Sequence, residues 1–159
     1  MVHEHQRWDR DDYVEFRCRN IDGNKKDKKV TEDEAWDKLC TDEAEAYEYN
    51  APSMDYIKGN GLDPVTKSPL DGPDGFDLDS IMMYTSSQGT GKYEDEVTVD
   101  TAVLVKIKKD DSGKVTPAED WRIPTREEVS DKDAEFVRRF YPWGQEAYDE
   151  YKRTHPDKA

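Results

Sequence analysis

The sequence predicts an α+β domain that is rich in loops and ends in a capped helix. Val14, Phe16 and Cys18 alternate with charged residues, which is the two-residue period of a half-buried strand. Capping patterns at residues 31–34 and 130–133 each precede apolar residues at helical spacing. Residues 52–75 are rich in Pro, Gly, Asp and Ser, which predicts an irregular segment between the regular elements.

The first helix is predicted to run from about Glu32 to Tyr49, with Cys40 on its inner face and within reach of Cys18. These are the only two cysteines in the chain. In an exported protein they are compatible with one disulfide, whereas in the cytosol two reduced, buried thiols are the alternative. A bridge that closes this loop would contribute roughly 3 kcal/mol to stability in the chain-entropy model.

Two further elements are predicted in the second half of the chain. Residues 97–107 have the composition of one or two short strands, and the turn at 110–113 leads to Val115, which indicates a peripheral hairpin. The final helix begins at the Ser130–Asp133 cap and ends at Pro142. Its apolar face consists of Ala134, Val137, Phe140 and Tyr141. Residues 1–143 are predicted to form the domain, and 144–159 a polar tail.

Charge and hydropathy exclude some classes of partner. The chain has 38 acidic and 24 basic residues, for a net charge of -14. Nucleic acid is not expected as a partner, because phosphate binding needs clustered Lys and Arg. We interpret the acidity as a solubility feature, with an acidic surface for basic substrates as the alternative. No apolar run approaches the roughly 20 residues needed to span a bilayer, so no membrane partner is expected.

Two motifs carry the functional information. His3 is followed, in the spacing E-x-x-R-x-D-R-D-x-Y-V, by Glu4, Arg7, Asp9, Arg10, Asp11, Tyr13 and Val14. The second motif is the Ser-x-Met-x-Tyr segment from Ser80 to Tyr84. The first resembles the end of the signature H-E-x-x-H-x-x-G-x-x-H of the astacin family of zinc endopeptidases, together with its continuation. The second resembles the Met-turn of the same metzincin-type enzymes, and the Ser-x-x-Asp start of the final helix is a softer, third match.

The resemblance implies a role for each matched residue. His3 would be the third zinc ligand, and Met82 the apolar floor beneath the metal. Tyr84 would bind zinc at rest and donate a hydrogen bond to the oxyanion that develops during peptide hydrolysis. Glu4 matches a structural anchor that pairs with the mature N-terminus. Met83 replaces the histidine that commonly precedes this tyrosine, which leaves the surroundings of Tyr84 open. Arg7, Trp8, Asp9 and Arg10 are interpreted as a packed, salt-bridged scaffold.

The H-E-x-x-H half of the signature does not occur in the 159 residues. A catalytic zinc ion needs three protein ligands and an open position, and the glutamate of that half is the general base. We therefore expect the C-terminal subdomain of a secreted metalloendopeptidase that acts on protein or peptide substrates. The chain alone is expected to be inactive and to bind zinc poorly. Met1 is expected to be an internal methionine, with further sequence and an N-terminal subdomain upstream.

Two alternatives remain open at this stage. The first is a non-catalytic remnant of the protease fold that binds a peptide or protein. The second is an unrelated calcium-binding protein, suggested by the Asp- and Gly-rich stretches at 22–24 and 71–75. Neither stretch has the glycine and glutamate spacing of an EF-hand loop, and such stretches are more often turns.

Overall fold

The computed structural model describes residues 3–22, 33–59 and 75–140, together with the single residues 144, 146 and 153. The helices are α1 (Asp33–Thr41), α2 (Glu43–Glu48) and α3 (Asp131–Phe140). The strands are β1 (Val14–Phe16), β2 (Leu104–Lys109) and β3 (Val115–Pro117), and short 3-10 segments such as Pro52–Tyr56 lie in the connections. This mixture of helices and a small sheet confirms the predicted α+β class. The described part contains no helix that is long and apolar enough to cross a membrane.

The three strands form one antiparallel sheet in the order β1-β2-β3. Glu15 lies opposite Val105, and Ile107 lies opposite Pro117. The predicted hairpin is therefore confirmed, but its predicted peripheral position is wrong for β2. This strand pairs on both sides, so Leu104 and Val105 at its start have no solvent exposure. The surface part of the hairpin is β3 together with the end of β2, and Val115 in β3 is 46% exposed.

The helix predicted over residues 32–49 is in fact two helices, because the chain breaks at Asp42. Asp42 has an extended backbone, and its carboxylate accepts hydrogen bonds from Ala44 N and Glu45 N. An aspartate in this position satisfies the first free amides of a new helix, which favours a restart over continuation. Residues 31 and 32 of the predicted capping box lie outside the described residues.

The end of α2 is a Schellman motif. Asn50 has φ of 49°, and the amide of Ala51 donates to the carbonyl of Ala46 at 2.8 Å. Ala46 and Ala51 are both buried, and they form a small core with Leu39. This motif turns the chain back, so that the Pro52–Tyr56 segment packs beneath α1 and α2.

Cys18 and Cys40 form a disulfide with their Cα atoms 5.8 Å apart. Of the two alternatives left open by the sequence, the bridged one is present in the structure. The bond connects the residues after β1 to the end of α1. The small helical core is thereby attached to the main core, which consists of Val14, Ile21, Tyr56, Phe76, Met83, Val103, Leu104 and Ile123.

Helix α3 has the predicted cap. Ser130 Oγ accepts a hydrogen bond from Asp133 N at 3.0 Å, and the Asp133 carboxylate accepts one from Ser130 N at 3.4 Å. On the predicted apolar face, Val137 is 44% exposed. The side chain of Phe140, Tyr141, Pro142 and most of the predicted tail lie outside the described residues.

Candidate functional site

The structure brings the two motifs together at one place. His3 begins the first motif and precedes the 3-10 turn Glu4–Gln6, while Tyr84 ends the second. Their rings are 5.3 Å apart between centroids and meet edge to face at 61°. Both side chains are half-buried. The resemblance assigned both residues to one zinc site, and the fold places them side by side.

His5 lies behind this pair and was not identified from the sequence. Its ring stacks on Tyr84 with centroids 4.0 Å apart, and it has no solvent exposure. His5 Nε2 donates to the carbonyl of Asp55 at 3.0 Å, and Nδ1 accepts the amide of Tyr84 at 3.4 Å. These partners assign the neutral tautomer with its proton on Nε2. Burial lowers the pKa of His5 to about 3, which keeps the ring neutral.

Both nitrogens of His5 are used by the fold, so this residue does not qualify as a metal ligand. Sequence spacing had given His5 no role, because it lies only two residues after His3. The hydrogen bonds of His5 to Asp55 and Tyr84 join segments that are distant in sequence, so no local sequence pattern predicts them. The one available signal was the aromatic character of the segments around it.

Arg10 fixes the loop that carries His3 and His5. Its guanidinium Nη1 donates to the carbonyls of His5 at 3.1 Å and Tyr56 at 2.6 Å, and its Nε pairs with Asp11 at 2.9 Å. Arg10 is 6% exposed, and burial lowers its pKa below the usual range. The predicted scaffold role of Arg10 agrees with this geometry.

Two neighbours of Arg10 show where the scaffold prediction holds and where it fails. Arg7 makes a bidentate pair with Asp9 at 2.9 and 2.8 Å and is 6% exposed. Trp8, in contrast, is 53% exposed, so its predicted packing is wrong. The 3-10 turns on both sides direct alternate residues of this loop inwards, and Trp8 lies at the bend between them.

Glu4 has a different environment from the other carboxylates. It accepts the amide of Asp77 at 3.0 Å, and the Arg7 guanidinium is 3.6 Å away. Desolvation dominates over both contacts and raises the pKa of Glu4 to about 7. Glu4 therefore ties the first motif to the segment before the Met-turn. Its implied pairing with a mature N-terminus stays a prediction.

Helix α3 holds the Ser80–Tyr84 segment, which resembles a Met-turn. Ser80 is fully buried, and its hydroxyl donates to Asp133 Oδ1 at 2.7 Å and accepts the amide of Met82 at 3.0 Å. The amide of Ile81 donates to the second oxygen of Asp133 at 2.9 Å. Ser80 and Asp133 were each noticed in the sequence, but in separate patterns. The structure shows that the helix cap and the turn share one carboxylate.

The two methionines of the turn differ in burial. Met83 is 4% exposed and packs in the main core, whereas Met82 is half-buried. An apolar residue at position 83 is thus explained by packing. The role of Met82 as the floor beneath a metal stays a prediction, since the described residues do not show what lies over it.

The described residues do not form a complete zinc site. Among them, no three His, Cys, Asp or Glu side chains lie close enough together to hold a metal ion. Both ring nitrogens of His5 are hydrogen-bonded, and the two cysteines are bonded to each other. His3, with Tyr84 as the resemblance implies, is what remains, and this is fewer than the three ligands that catalytic zinc requires.

The chain has no match among protein-family models, and no curated protein matches it. The resemblance to the astacin family therefore depends on the quoted motifs alone.

Proposed function

We propose that this chain forms one side of the active site of an astacin-like zinc metalloendopeptidase, a secreted enzyme that cleaves protein or peptide substrates. The observation that carries the proposal is the contact between His3 and Tyr84, whose rings are 5.3 Å apart. Each comes from a separate motif of the same family. An accidental match in either motif would give no reason for the two rings to meet.

His3 and Tyr84 each have one proposed role. In this family, zinc supplies an activated water and polarises the peptide carbonyl. His3 is proposed as one ligand of that ion, and Tyr84 as a hydrogen-bond donor to the oxygen that becomes negative. Because the described residues hold no complete ligand set and the sequence lacks H-E-x-x-H, we assign no hydrolytic step to the 159 residues alone. The other ligands and the base are proposed to come from an N-terminal subdomain.

The disulfide agrees with the proposed secretion. Such bonds persist in oxidising compartments and are rare in the cytosol. The Cys18–Cys40 bond supports the same helical core that carries the Pro52–Tyr56 segment. An exported enzyme would keep this support, so we propose an extracellular location.

Peptidase assays on two proteins test the proposal. The first is the chain itself, and the second is a fusion in which an astacin-type segment ending in H-E-x-x-H-x-x-G precedes Met1. We expect no chelator-sensitive cleavage of quenched casein by the chain, and cleavage by the fusion. In the fusion, Tyr84→Phe should lower kcat by about a hundredfold with little change in KM, because one oxyanion donor is lost.

The matched histidine variants complete the design. His3→Ala should remove zinc and activity from the fusion, while His155→Ala should leave both unchanged. Cleavage by the unfused chain would contradict the proposal, as would an active fusion that keeps its zinc after His3→Ala. Circular dichroism establishes that each fusion is folded, and the stoichiometry of bound zinc is measured for each one alongside its activity.

A second candidate function is a non-catalytic module that binds a peptide. The observation that favours it is a groove of about 490 Å³ that does not include His3 or Tyr84. Phe16, Ile57 and Val115 give it apolar walls, and Asp11 and Glu15 contribute carboxylates. This volume is within the usual range of ligand sites. Saturable, metal-independent binding of a peptide that is lost in Val115→Lys, but not in the control Val129→Lys, would support this function.

A further inference from the structure

Aromatic rings cluster around Tyr84, and His5 makes the shortest ring contact with it. The Arg10 guanidinium lies 4.9 Å from the Phe16 ring, and Phe16 stacks on Tyr56 at 5.1 Å. Tyr56 contacts His5 at 5.4 Å, and His5 stacks on Tyr84 at 4.0 Å. Of these contacts, the one between His5 and Tyr84 is the shortest. The ring of His3 contacts both, with its centroid 5.3 Å from that of His5 and 5.3 Å from that of Tyr84.

Hydrogen bonds fix Tyr56, the ring that contacts both His5 and Tyr84. Tyr56 hydroxyl donates to the carbonyl of Gln88 at 2.8 Å, and Arg10 donates to the carbonyls of Tyr56 and His5. Burial raises the pKa of Tyr56 above its usual range, so its hydroxyl stays a donor. His5 therefore lies against a ring that is itself anchored, at an interplanar angle of 53°.

His5 makes two kinds of contact with Tyr84, whereas Tyr56 meets the same ring edge to face at 5.4 Å. His5 contacts the ring face of Tyr84, and the same imidazole accepts the backbone amide of Tyr84 at 3.4 Å. Through Nε2, the imidazole is also bound to Asp55 of the Pro52–Tyr56 segment. An apolar residue of similar volume would fill the space but would leave the Asp55 carbonyl and the Tyr84 amide without this partner.

We propose that His5 is a positioning residue: its neutral imidazole, bound to Asp55, fixes the orientation of the Tyr84 ring against His3. The consequence for catalysis rests on the proposed function, whereas the orientation itself is a property of the folded chain. In a peptidase, a misplaced tyrosine donor would lower the rate more than the binding of substrate, since donors act on the transition state only when they are correctly placed.

The test uses the whole chain with 3-fluorotyrosine at position 84 and reads its fluorine NMR resonance. We expect one resonance, shifted away from that of the unfolded chain. His5→Leu fills the space without either hydrogen bond, and should move the resonance towards the unfolded value and broaden it. His5→Gln retains a donor and an acceptor but not the stacking, and should give a smaller change in the same direction.

Val97→Ala is the matched control for a merely structural effect. Val97 is 2% exposed and belongs to a separate core with Ala102 and Val105. This variant should lose stability and leave the fluorine resonance in place. If His5→Leu does not fold, the shift of the fluorine resonance in His5→Gln is compared with that in Val97→Ala, and this comparison tests whether His5 positions Tyr84. A resonance that moves no more in the folded His5 variant than in Val97→Ala overturns the proposal.

A kinetic readout separates this proposal from the proposed function. In the zinc-loaded fusion, His5→Gln should lower kcat about tenfold and leave KM unchanged. An inactive wild-type fusion would count against the peptidase assignment, while the fluorine result, which needs neither zinc nor substrate, would still decide whether His5 positions Tyr84.

Discussion

His3 and His5 are two positions apart in the sequence, and they occupy opposite environments. His5 is fully buried, with both ring nitrogens bonded and aromatic rings against it. His3 is half-buried, and within the described residues its ring contacts are with His5 and Tyr84. The difference teaches that two histidines in one motif can differ completely in burial and hydrogen bonding, so that only His5 is tied to the fold through both ring nitrogens.

Arg10→Ala should have the largest effect, because it removes the support beneath His5. The loss of a buried guanidinium leaves the carbonyls of His5 and Tyr56 without this donor, whereas Asp11 keeps its ion pair with Lys58. We expect the free energy of unfolding to fall by about 3–5 kcal/mol, because two buried acceptors are left unsatisfied and the packing of the Arg10 side chain is lost. Urea denaturation measures it. Arg126→Ala is the control. Among the described residues Arg126 Nε has no hydrogen-bond partner, and Asp79, which pairs with the Arg126 guanidinium, is exposed, so a loss under about 1 kcal/mol is expected. Equal losses in both variants would contradict the account.

Removal of the disulfide should have the next largest effect. The bond closes a loop with a sequence separation of 22 residues. The double variant Cys18→Ala/Cys40→Ala should lose roughly 3 kcal/mol relative to the oxidised chain. Because the bond supports the segment whose Asp55 carbonyl binds His5, the fluorine resonance at position 84 should also broaden. A full loss of stability with an unchanged resonance would separate the helical core from the His5 side of the site.

The pH dependence of stability should distinguish His5 from its neighbour Glu4. The pKa of His5 falls from 6.5 to about 3 on folding, so its contribution to stability is present above pH 6.5 and is lost as the pH falls towards 3. The pKa of Glu4 rises from 4.5 to about 7, so its contribution is present below pH 4.5 and is lost as the pH rises through 7. Between about pH 4.5 and 6.5, the contribution of His5 to the free energy of unfolding rises with pH, while that of Glu4 falls.

Replacing His5 or Glu4 singly should reveal how each residue makes the free energy of unfolding depend on pH. Relative to the wild type, the stability of His5→Gln should decline with rising pH in this window, and that of Glu4→Gln should increase. Each difference should be on the order of 1–2 kcal/mol across the window. Denaturation series at several pH values measure it. Parallel curves for the three proteins would show that neither group titrates differently in the folded and unfolded states.

His3→Ala should have the smallest effect on the fold. Its ring is half-buried and makes ring contacts only, within the described residues. We expect a change in the free energy of unfolding within about 0.5 kcal/mol. A loss as large as that of His5→Gln would make His3 a structural residue and would weaken its proposed role as a ligand.

Local patterns predicted the elements whose causes are local. The cap of α3, the hairpin and the strand at Val14 follow from short-range hydrogen bonds and alternation, and the structure contains all three. The break at Asp42 was missed because an aspartate within a helical pattern is read as a solvent-facing residue until its bonds to Ala44 and Glu45 are seen.

The residues of the candidate site were also predicted only in part, because some of their contacts are not local in sequence. Motif resemblance pointed to His3 and Tyr84, which the fold brings into contact. It gave no role to His5, whose bonds to Asp55 and the Tyr84 amide join segments that are distant in sequence. The sharing of Asp133 between α3 and the Met-turn was hidden in the same way. Hydrogen bonds between distant segments produce no helical or strand-like spacing of residues, so the sequence pattern does not predict them.

Mass spectrometry of the N-terminal peptides of the native protein, purified from its source, tests the central claim most directly. The claim is that this chain supplies the His3 and Tyr84 side of a zinc peptidase whose other ligands come from upstream. The account predicts peptides that read H-E-x-x-H-x-x-G immediately before Met1. A native N-terminus at Met1 would contradict the catalytic proposal and leave the peptide-binding function as the better account.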